Sequence, residues 1–336
     1  MKNSDGIDFH ALLKPAPMTA KFIDPDYYIW CGTMMKGDDG MYHLFYSRWP
    51  RKLGHYAWVT HSEIAHAVSP SPFGPFTHAD VALTRRDASF WDGLCTHNPT
   101  IQRFDGKWYL YYMGNTGDDV VSKDFNWNRR NNQRVGVAVA DTPSGPWRRF
   151  DTPLIDVTPG FHDALCTTNP SVTRRPDGGY LMVYKGVGME KPLPSGGPVV
   201  HLVATADSPT GPFVKHPNPV FTKSGIAFAA EDPFIWYDRD RYRAIVKDMA
   251  GHFTDAGKSL VQFESSDGLT WTLAEHPLVS RIEVAWENGI VEKLHSLERP
   301  QLLIVDGILR ALLCAADVND KREHSFNLQI PLAPYR

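Results

Sequence analysis

Cysteine, surplus charge and long apolar runs are all scarce in this sequence, and each shortage removes a class of protein. The four cysteines, Cys31, Cys95, Cys166 and Cys314, form no Cys-x-x-Cys pair. That excludes zinc knuckles and dense disulfide frameworks and leaves buried free thiols. Thirty-five Lys and Arg against 38 Asp and Glu give a net charge of −3. Nucleic acid and anionic membranes attract a basic excess, so neither is expected as a partner. No run of about 18 apolar residues occurs, and Met1 to Pro17 lacks a basic segment followed by an apolar one. The chain as it stands reads as cytoplasmic, or as periplasmic if a leader has been removed. There is no Gly-x-Ser-x-Gly elbow and no His-Glu-x-x-His pair. Gly251 to Ser259 imitates a phosphate loop but has five residues between its glycines where the motif needs four. A strand pattern, Ser259 onward, follows where a helix should.

Aromatic residues, glycine and proline are plentiful: 10 Trp, 13 Tyr, 17 Phe, 26 Gly and 26 Pro. The mix suits short strands and tight turns, and no segment keeps a 3.6-residue apolar period. Three markers recur. A polar residue precedes proline at Asn98-Pro99, Asn169-Pro170, Asp232-Pro233 and Arg299-Pro300, at steps of 71, 63 and 67 residues. Asp-Gly hairpin signals stand at Asp39, Asp105, Asp177 and Asp306, with Asp240 as a degenerate copy; a type I′ turn, with positive φ at both central residues, favours this pair. Pro-x-Gly-Pro-aromatic recurs at Pro72–Phe76, Pro143–Trp147 and Pro209–Phe213, with Ser266–Trp271 as an altered copy.

Between the markers lie strand-like runs such as Trp108–Tyr112, Tyr180–Tyr184 and Arg134–Val139. Five units of about 67 residues with roughly four strands each describe an all-β, five-bladed propeller forming a single domain. Its blades are expected near 20–90, 91–160, 161–224, 225–292 and 293–336. The last has room for three strands, so the stretch around Phe9 to Leu13 is expected to supply the fourth and close the ring.

In a propeller the innermost strands converge on a tunnel, so equivalent repeat positions meet there. Asp26, Asp92 and Asp163 each precede the repeat's marker position by six residues. Glu231 and Asp232 open the fourth blade, and Glu298 precedes Arg299 in the fifth. So many acids at one mouth repel unless each has a task. Alternatively, Asp92, Asp163 and the Asn residues fix loops by accepting backbone hydrogen bonds. Glu231, flanked by Ala227, Ala229 and Ala230, is a poor local cap and a better chemical candidate. Paired carboxyls, one protonated and one ionised, are what glycoside hydrolysis uses. Trp30, Trp49 and Trp91 offer flat faces for a sugar ring, and Arg48, His61, His97, Asn98, His162, Asn169, Lys247 and Arg299 offer hydrogen bonds. His61 and His66 fall in an apparent strand, five apart, and point to opposite faces. The Arg-rich insertion from Asn115 to Arg134 is either a solvated loop or a wall that meets an anionic sugar.

Asp24-Pro25-Asp26, the run from Trp30-Cys31-Gly32 through Tyr42 to Pro50, Ser208 to Phe213 and Ala230-Glu231-Asp232-Pro233 resemble the five-bladed glycoside hydrolases of families 43 and 117, and more closely family 117. The resemblance spans nearly the whole chain from about residue 20. It implies an inverting glycosidase acting on an α-linked or furanosidic sugar of plant or algal oligosaccharides; exo action at the non-reducing end is expected from the long loops of blades 2 and 3, which would block one end of the pocket. Carried over by position, it gives Asp26 as base, Asp163 as the residue that tunes and orients, and Glu231 as acid. Asp24 competes with Asp26 as base. A histidine acid of the family 117 kind finds no matching position, and the helical N-terminal extension used there for dimerisation is largely missing, so no oligomeric state is inherited. No cofactor is required for this chemistry. A divalent metal ion in the central tunnel is a further implication, with His295 or His324 able to approach it. A glycoside phosphorylase, using Arg299 and Lys247 for phosphate, and a non-catalytic sugar-binding propeller remain the alternatives.

Overall fold

The computed structural model describes residues 6–335. Five antiparallel sheets stand around one axis, and the innermost strand of each touches those of its two neighbours, closing a ring. Blade 1 holds Tyr27–Lys36, Tyr42–Pro50, Glu63–Ser69 and Thr77–Leu83. Blade 2 holds Cys95–Phe104, Lys107–Asn115 and Arg134–Ala140. Single bridges from Val135 to Ile155 and from Val139 to Arg148 stand in for its fourth strand, which the repeat had led us to expect in full. Blade 3 holds Cys166–Arg174, Tyr180–Val187, Val199–Ala206 and Val214–Lys215. Blade 4 holds Ala230–Asp238, Arg241–Asp248, Ser259–Ser265 and Thr272–Arg281. An additional hairpin, Glu283–Ala285 with Val291–Lys293, precedes blade 5.

Blade 5 comprises Ser296–Val305, Ile308–Asp317 and Phe326–Pro331, and its outer strand comes from the N-terminal part of the chain. That strand is Lys21–Phe22 rather than the expected Phe9–Leu13. Phe9–Leu12 is a helical turn capped by Asp8, whose carboxylate accepts from Ala11 N. The turn is held by burial: Phe9 is enclosed and meets Trp236 edge-on. The other helices, Trp58–His61 and Trp127–Asn131, are equally brief, and no helix among the described residues is long and apolar enough to cross a membrane.

The core lies between blades. One apolar cluster joins blades 2 and 3 through Tyr111, Val137, Met182 and Leu202, and another joins blades 3 and 4 through Val183, Val203, Ile235 and Val246. Each strand presents one face to each neighbouring blade, so near-continuous apolar runs replace simple alternation. All four cysteines are buried and free.

The repeat markers occupy defined places. Asp105-Gly106, Asp306-Gly307 and Arg239-Asp240 have positive φ at both positions, the type I′ signature, whereas at Asp39-Gly40 and Asp177-Gly178 only glycine does. These turns and the Pro-x-Gly-Pro segments lie on one face. The opposite face carries the starts of the innermost strands and the connections between second and third strands.

Candidate active site

Every innermost strand carries a bulge at the same place. The pairing to the second strand slips between Trp30 and Thr33, His97 and Thr100, Glu231 and Phe234, and Glu298 and Gln301, and blade 3 slips opposite Asn169. The bulged residues Cys31, Asn98, Asn169, Asp232 and Arg299 all have φ between 52° and 57°. This is the left-handed region that L-residues seldom enter, so five repetitions mark one backbone device. It explains the polar-Pro marker and supplies its missing blade-1 copy, Cys31-Gly32.

Each bulge turns one side chain into the axis. Cys31 Sγ donates to Asn98 Oδ1 at 2.8 Å, Asn98 Nδ2 to Asn169 Oδ1, and Asn169 Nδ2 to Asp232 Oδ1 at 2.6 Å. Asp232 Oδ2 accepts from Arg299 N at 3.2 Å, and Arg299 Nη2 lies 3.4 Å from the Asn98 carbonyl. The five side chains form a ring that floors the tunnel. Arg299 is 2% exposed, and its Nε and Nη1 have no hydrogen-bond partner among the described residues, Nη1 standing 3.8 Å from Asp232 Oδ1.

Above this ring lies a cavity of about 260 Å³. On the side of blades 1 and 2 its lining is Trp30, Trp49, His55, Trp58 and His97; on the side of blades 3 to 5 it is Lys185, Glu231, Lys247, Glu298 and Arg322, with Met249 between. The aromatic side is tightly built. Trp58 stacks on His97 with ring centroids 4.9 Å apart, and Trp49 meets both His55 and His97 edge-on. His97 Nδ1 is 2.7 Å from Ser62 Oγ. Burial keeps His97 well below the usual imidazole range, helped by the Arg299 charge. Burial and Arg322 bring His55 down to about 4. Both imidazoles are neutral at neutral pH.

On the charged side Lys185 Nζ donates to Glu231 Oε1 at 2.7 Å. Lys247 Nζ stands 2.7 Å from Glu298 Oε1 and 3.8 Å from Glu231 Oε2. Arg322 Nη2 reaches Glu298 Oε1 at 3.3 Å. Burial tends to raise the Glu231 carboxyl, but Lys185 and Lys247 outweigh it and hold it low. The neighbouring Asp232 is driven the other way by burial and by the Glu231 charge. The two form one coupled acid unit that binds a proton more readily than an ordinary carboxylate pair.

The cavity therefore brings together Trp30, Trp49, His97, Asn98, Asn169, Glu231, Asp232, Lys247, Glu298 and Arg299. It does not include Asp26, Asp92, Asp163, Arg48, His61, Trp91 or His162. Asp26 is exposed at the entry to blade 1, where its N–H donates to Asp24 Oδ1. Asp92 and Asp163 are buried inside their blades. Asp92 accepts from Tyr112 OH at 2.6 Å and pairs with Arg86; Asp163 accepts from Tyr184 OH at 2.9 Å and pairs with Lys215. Each ties the loop entering an inner strand to the second strand, and Gly114 and Gly186 leave room, since a Cβ there would meet Asp92 or Asp163 Cβ at 2.3 or 2.8 Å. Arg48 pairs with Glu63 within blade 1, and Trp91 stacks on Tyr112 within blade 2. His162 packs against Phe161. His61 closes a helical turn rather than standing in a strand, and its Nδ1 is 2.9 Å from Thr60 Oγ1.

Lys185, His55, Trp58 and Arg322 were missed from sequence. Lys185 had a signal: Tyr180 to Lys185 and Tyr242 to Lys247 are the same five-residue step along second strands, and both lysines face the bulge. The other three come from connections that share no repeat. In the Arg-rich insertion Arg129 pairs with Asp118, Arg134 with Asp156, and Arg130 donates to the Ser195 carbonyl. The insertion meets the site through Phe125, which packs on Trp58. The loop that imitates a phosphate site is filled by the protein itself: Asp248 accepts from the backbone of Gly251, His252 and Phe253.

The residues on the axis do not fit the tunnel metal that the resemblance implied. A guanidinium occupies the ring, His295 and His324 are exposed, and no group of three or more His, Cys, Asp or Glu among the described residues is arranged to hold an ion.

The whole chain is similar in structure to known glycoside hydrolases. A family 117 enzyme from the marine bacterium Zobellia galactanivorans superposes with a TM-score of 0.67 at 20% identity, covering 95% of this chain and 89% of that one. An endo-arabinase from Bacteroides thetaiotaomicron gives 0.61 at 12% identity, covering 95% and 97%. An exo-1,5-α-L-arabinanase from a bovine ruminal metagenomic library gives 0.60 at 13%, covering 95% and 100%. At these identities the likeness establishes the five-bladed fold, which hosts both endo and exo enzymes. No family model matches the sequence, and a search of curated proteins finds no significant match.

Proposed function

We propose that this protein is a glycosidase whose active site is the cavity between the aromatic and charged sides. The carrying observation is that three tryptophans face two carboxyls, Glu231 and Glu298, linked through one ammonium, with Asp232 beneath Glu231. In this reading the Glu231–Asp232 unit supplies the proton. Glu231, the more exposed member at 19%, delivers it to the glycosidic oxygen as the bond to the anomeric carbon breaks, once bound substrate has displaced Lys185 from its Oε1 and so removed the charge that holds this carboxyl low. Glu298 takes the proton of the attacking water. Lys185 and Lys247 orient the two carboxyls, and the tryptophans hold the ring.

The cavity volume lies below the ~300–1,000 Å³ of ordinary small-molecule pockets, which favours one terminal sugar and hence exo action. Inversion is what the resemblance implies. The spacing favours a second reading: Lys247 holds the nearest oxygens of Glu231 and Glu298 within about 6.5 Å, the lower edge for single displacement and compatible with the ~5 Å of double displacement. In that case Glu298 attacks the anomeric carbon and the configuration is retained.

The test is a screen of wild type against plant and algal oligosaccharides by mass spectrometry, followed by proton NMR of the first anomer released. Glu231→Gln and Glu298→Gln should each lower turnover by about 100-fold or more with the fold intact. Unchanged turnover in either variant removes that residue from its role, and release of no sugar by wild type refutes the proposal.

A further inference from the structure

The charged side of the cavity holds more positive charge than its carboxylates neutralise. Lys185, Lys247, Arg299 and Arg322 face Glu231, Asp232 and Glu298, four cations against three acids. The imbalance grows when the Glu231–Asp232 unit carries its proton. An uncompensated buried charge is costly to keep. The side chains of Lys185, Lys247 and Arg299 are only 14%, 8% and 2% exposed, so water does little to offset it.

Two histidines line the cavity and a third, His201, stands beside Lys185 on the third strand of blade 3, and burial is the chief cause that depresses all three. His55 is depressed by burial and by Arg322, His97 by burial and by Arg299, and His201 by burial and by Lys185, the last to about 3. None of the three can therefore add to the charge at neutral pH, and the surplus resides in fixed cations.

Donor capacity is left over as well. Lys185 has three N–H groups and gives one hydrogen bond, to Glu231, among the described residues. Arg322 has five and gives one, to Glu298. Arg322 comes from the connection between second and third strands of blade 5, its side chain is 31% exposed, and its guanidinium lies over the Trp30 ring, 5.3 Å from the centroid. A cation with free donors thus stands at the mouth, beside the aromatic face that would hold a sugar.

We infer that the cavity is built for an oxyanion bound together with the sugar, gripped by Arg322 and Lys185. The anion is either an acidic substituent of the sugar itself, a carboxylate or a sulfate ester, or a free phosphate. The inference rests on the reading of this cavity as a sugar site, and its test needs no turnover.

Calorimetry with the full chain compares galacturonate and glucuronate with galactose and glucose, and inorganic phosphate with chloride. Acidic sugars should bind about tenfold or more tightly than the neutral ones, the size of one charge-assisted hydrogen bond. Arg322→Gln should abolish the preference and Arg322→Lys restore part of it, and added NaCl should weaken acidic but not neutral binding. If phosphate binds and strengthens neutral-sugar binding while acidic sugars gain nothing, the free ion is the source. Equal binding of acidic and neutral sugars with no effect of phosphate overturns the inference, as does a preference that survives Arg322→Gln. Binding of acidic sugars without cleavage of any oligosaccharide refutes the glycosidase proposal alone; cleavage of neutral oligosaccharides with no anion preference refutes this inference alone.

Discussion

The two sides of the cavity are made from the same backbone and have opposite chemistry. At the position before the bulge, blades 1 and 2 present Trp30 and His97, whereas blades 4 and 5 present Glu231 and Glu298. Across from these, on the second strands, stand Ser47 and Met113 in the first two blades and Lys247 and Ala315 in the last two; blade 3 pairs Thr168 with Lys185. A repeated bulge fixes where a side chain goes and leaves open which side chain goes there. The fold thus supplies five equivalent places around one axis, and unequal occupancy gives the cavity one aromatic side and one charged side.

That division can be broken most directly by turnover. Glu298→Gln on the charged side should cost about 100-fold or more in kcat, whereas Trp58→Ala on the aromatic side should raise KM roughly fivefold, the worth of about 1 kcal/mol of aromatic contact, and leave kcat nearly unchanged. Equal losses of kcat in both variants would erase the distinction.

The ring below offers a comparison in stability. Arg299→Ala takes from the buried Asp232 the cation that acts on it most strongly and should cost about 3–5 kcal/mol in a urea titration. Cys31→Ser, at the equivalent place in blade 1, exchanges one donor to Asn98 for another and should cost under about 1.5 kcal/mol. A smaller loss for Arg299 than for Cys31 would show that the ring is not held by its charges.

A pH profile sharpens the role of the Glu231–Asp232 unit. Asp232 is pushed up to about 6, so the Glu231–Asp232 unit gives up its proton as pH rises through that value. Activity that needs the proton should fall on the alkaline side with a midpoint near 6, and Asp232→Asn, which leaves only the lowered Glu231 to carry the proton, should move that limb to lower pH. The stability signs differ: the raised Asp232 contributes most below about pH 4 and loses its contribution as pH rises toward 6. The lowered Glu231 contributes above its unfolded value and loses this as acid is added.

The smallest effect on catalysis is expected at Asp163, outside the cavity. Asp163→Asn should lower the melting temperature, because Lys215 and Tyr184 lose their buried partner, with turnover within about twofold of wild type. A loss of kcat comparable to that of Glu231→Gln would return Asp163 to the chemistry.

Much of the fold was legible because its signals are local. An Asp-Gly turn, a bulge-forming residue before proline and a Gly-Pro corner each declare themselves within a few residues, and their recurrence counts the blades. The acids at the starts of inner strands were legible for the same reason, and so were Trp30, His97 and Arg299. The register holds for Asp92 and Asp163, six residues before the bulges at Asn98 and Asn169, but not for Asp26, which stands five before the blade-1 bulge at Cys31. At that place the chain is still in the entering loop, where Asp92 and Asp163 turn into the blade to meet a tyrosine while Asp26 remains outside.

The connections between second and third strands were the least legible part. They have no shared length or motif, yet they supply His55, Trp58 and Arg322 to the site. The N-terminal turn also escaped, because the contact that holds Phe9 is Trp236, more than 200 residues away. By itself, the sequence determined the number of blades, the turns and the kinds of residue that reach the axis, because turn chemistry and strand period act between neighbours. The tertiary structure alone decided which acids share a cavity, which cations hold them and which face the mouth occupies, because those depend on distances between segments that only the closed ring brings together.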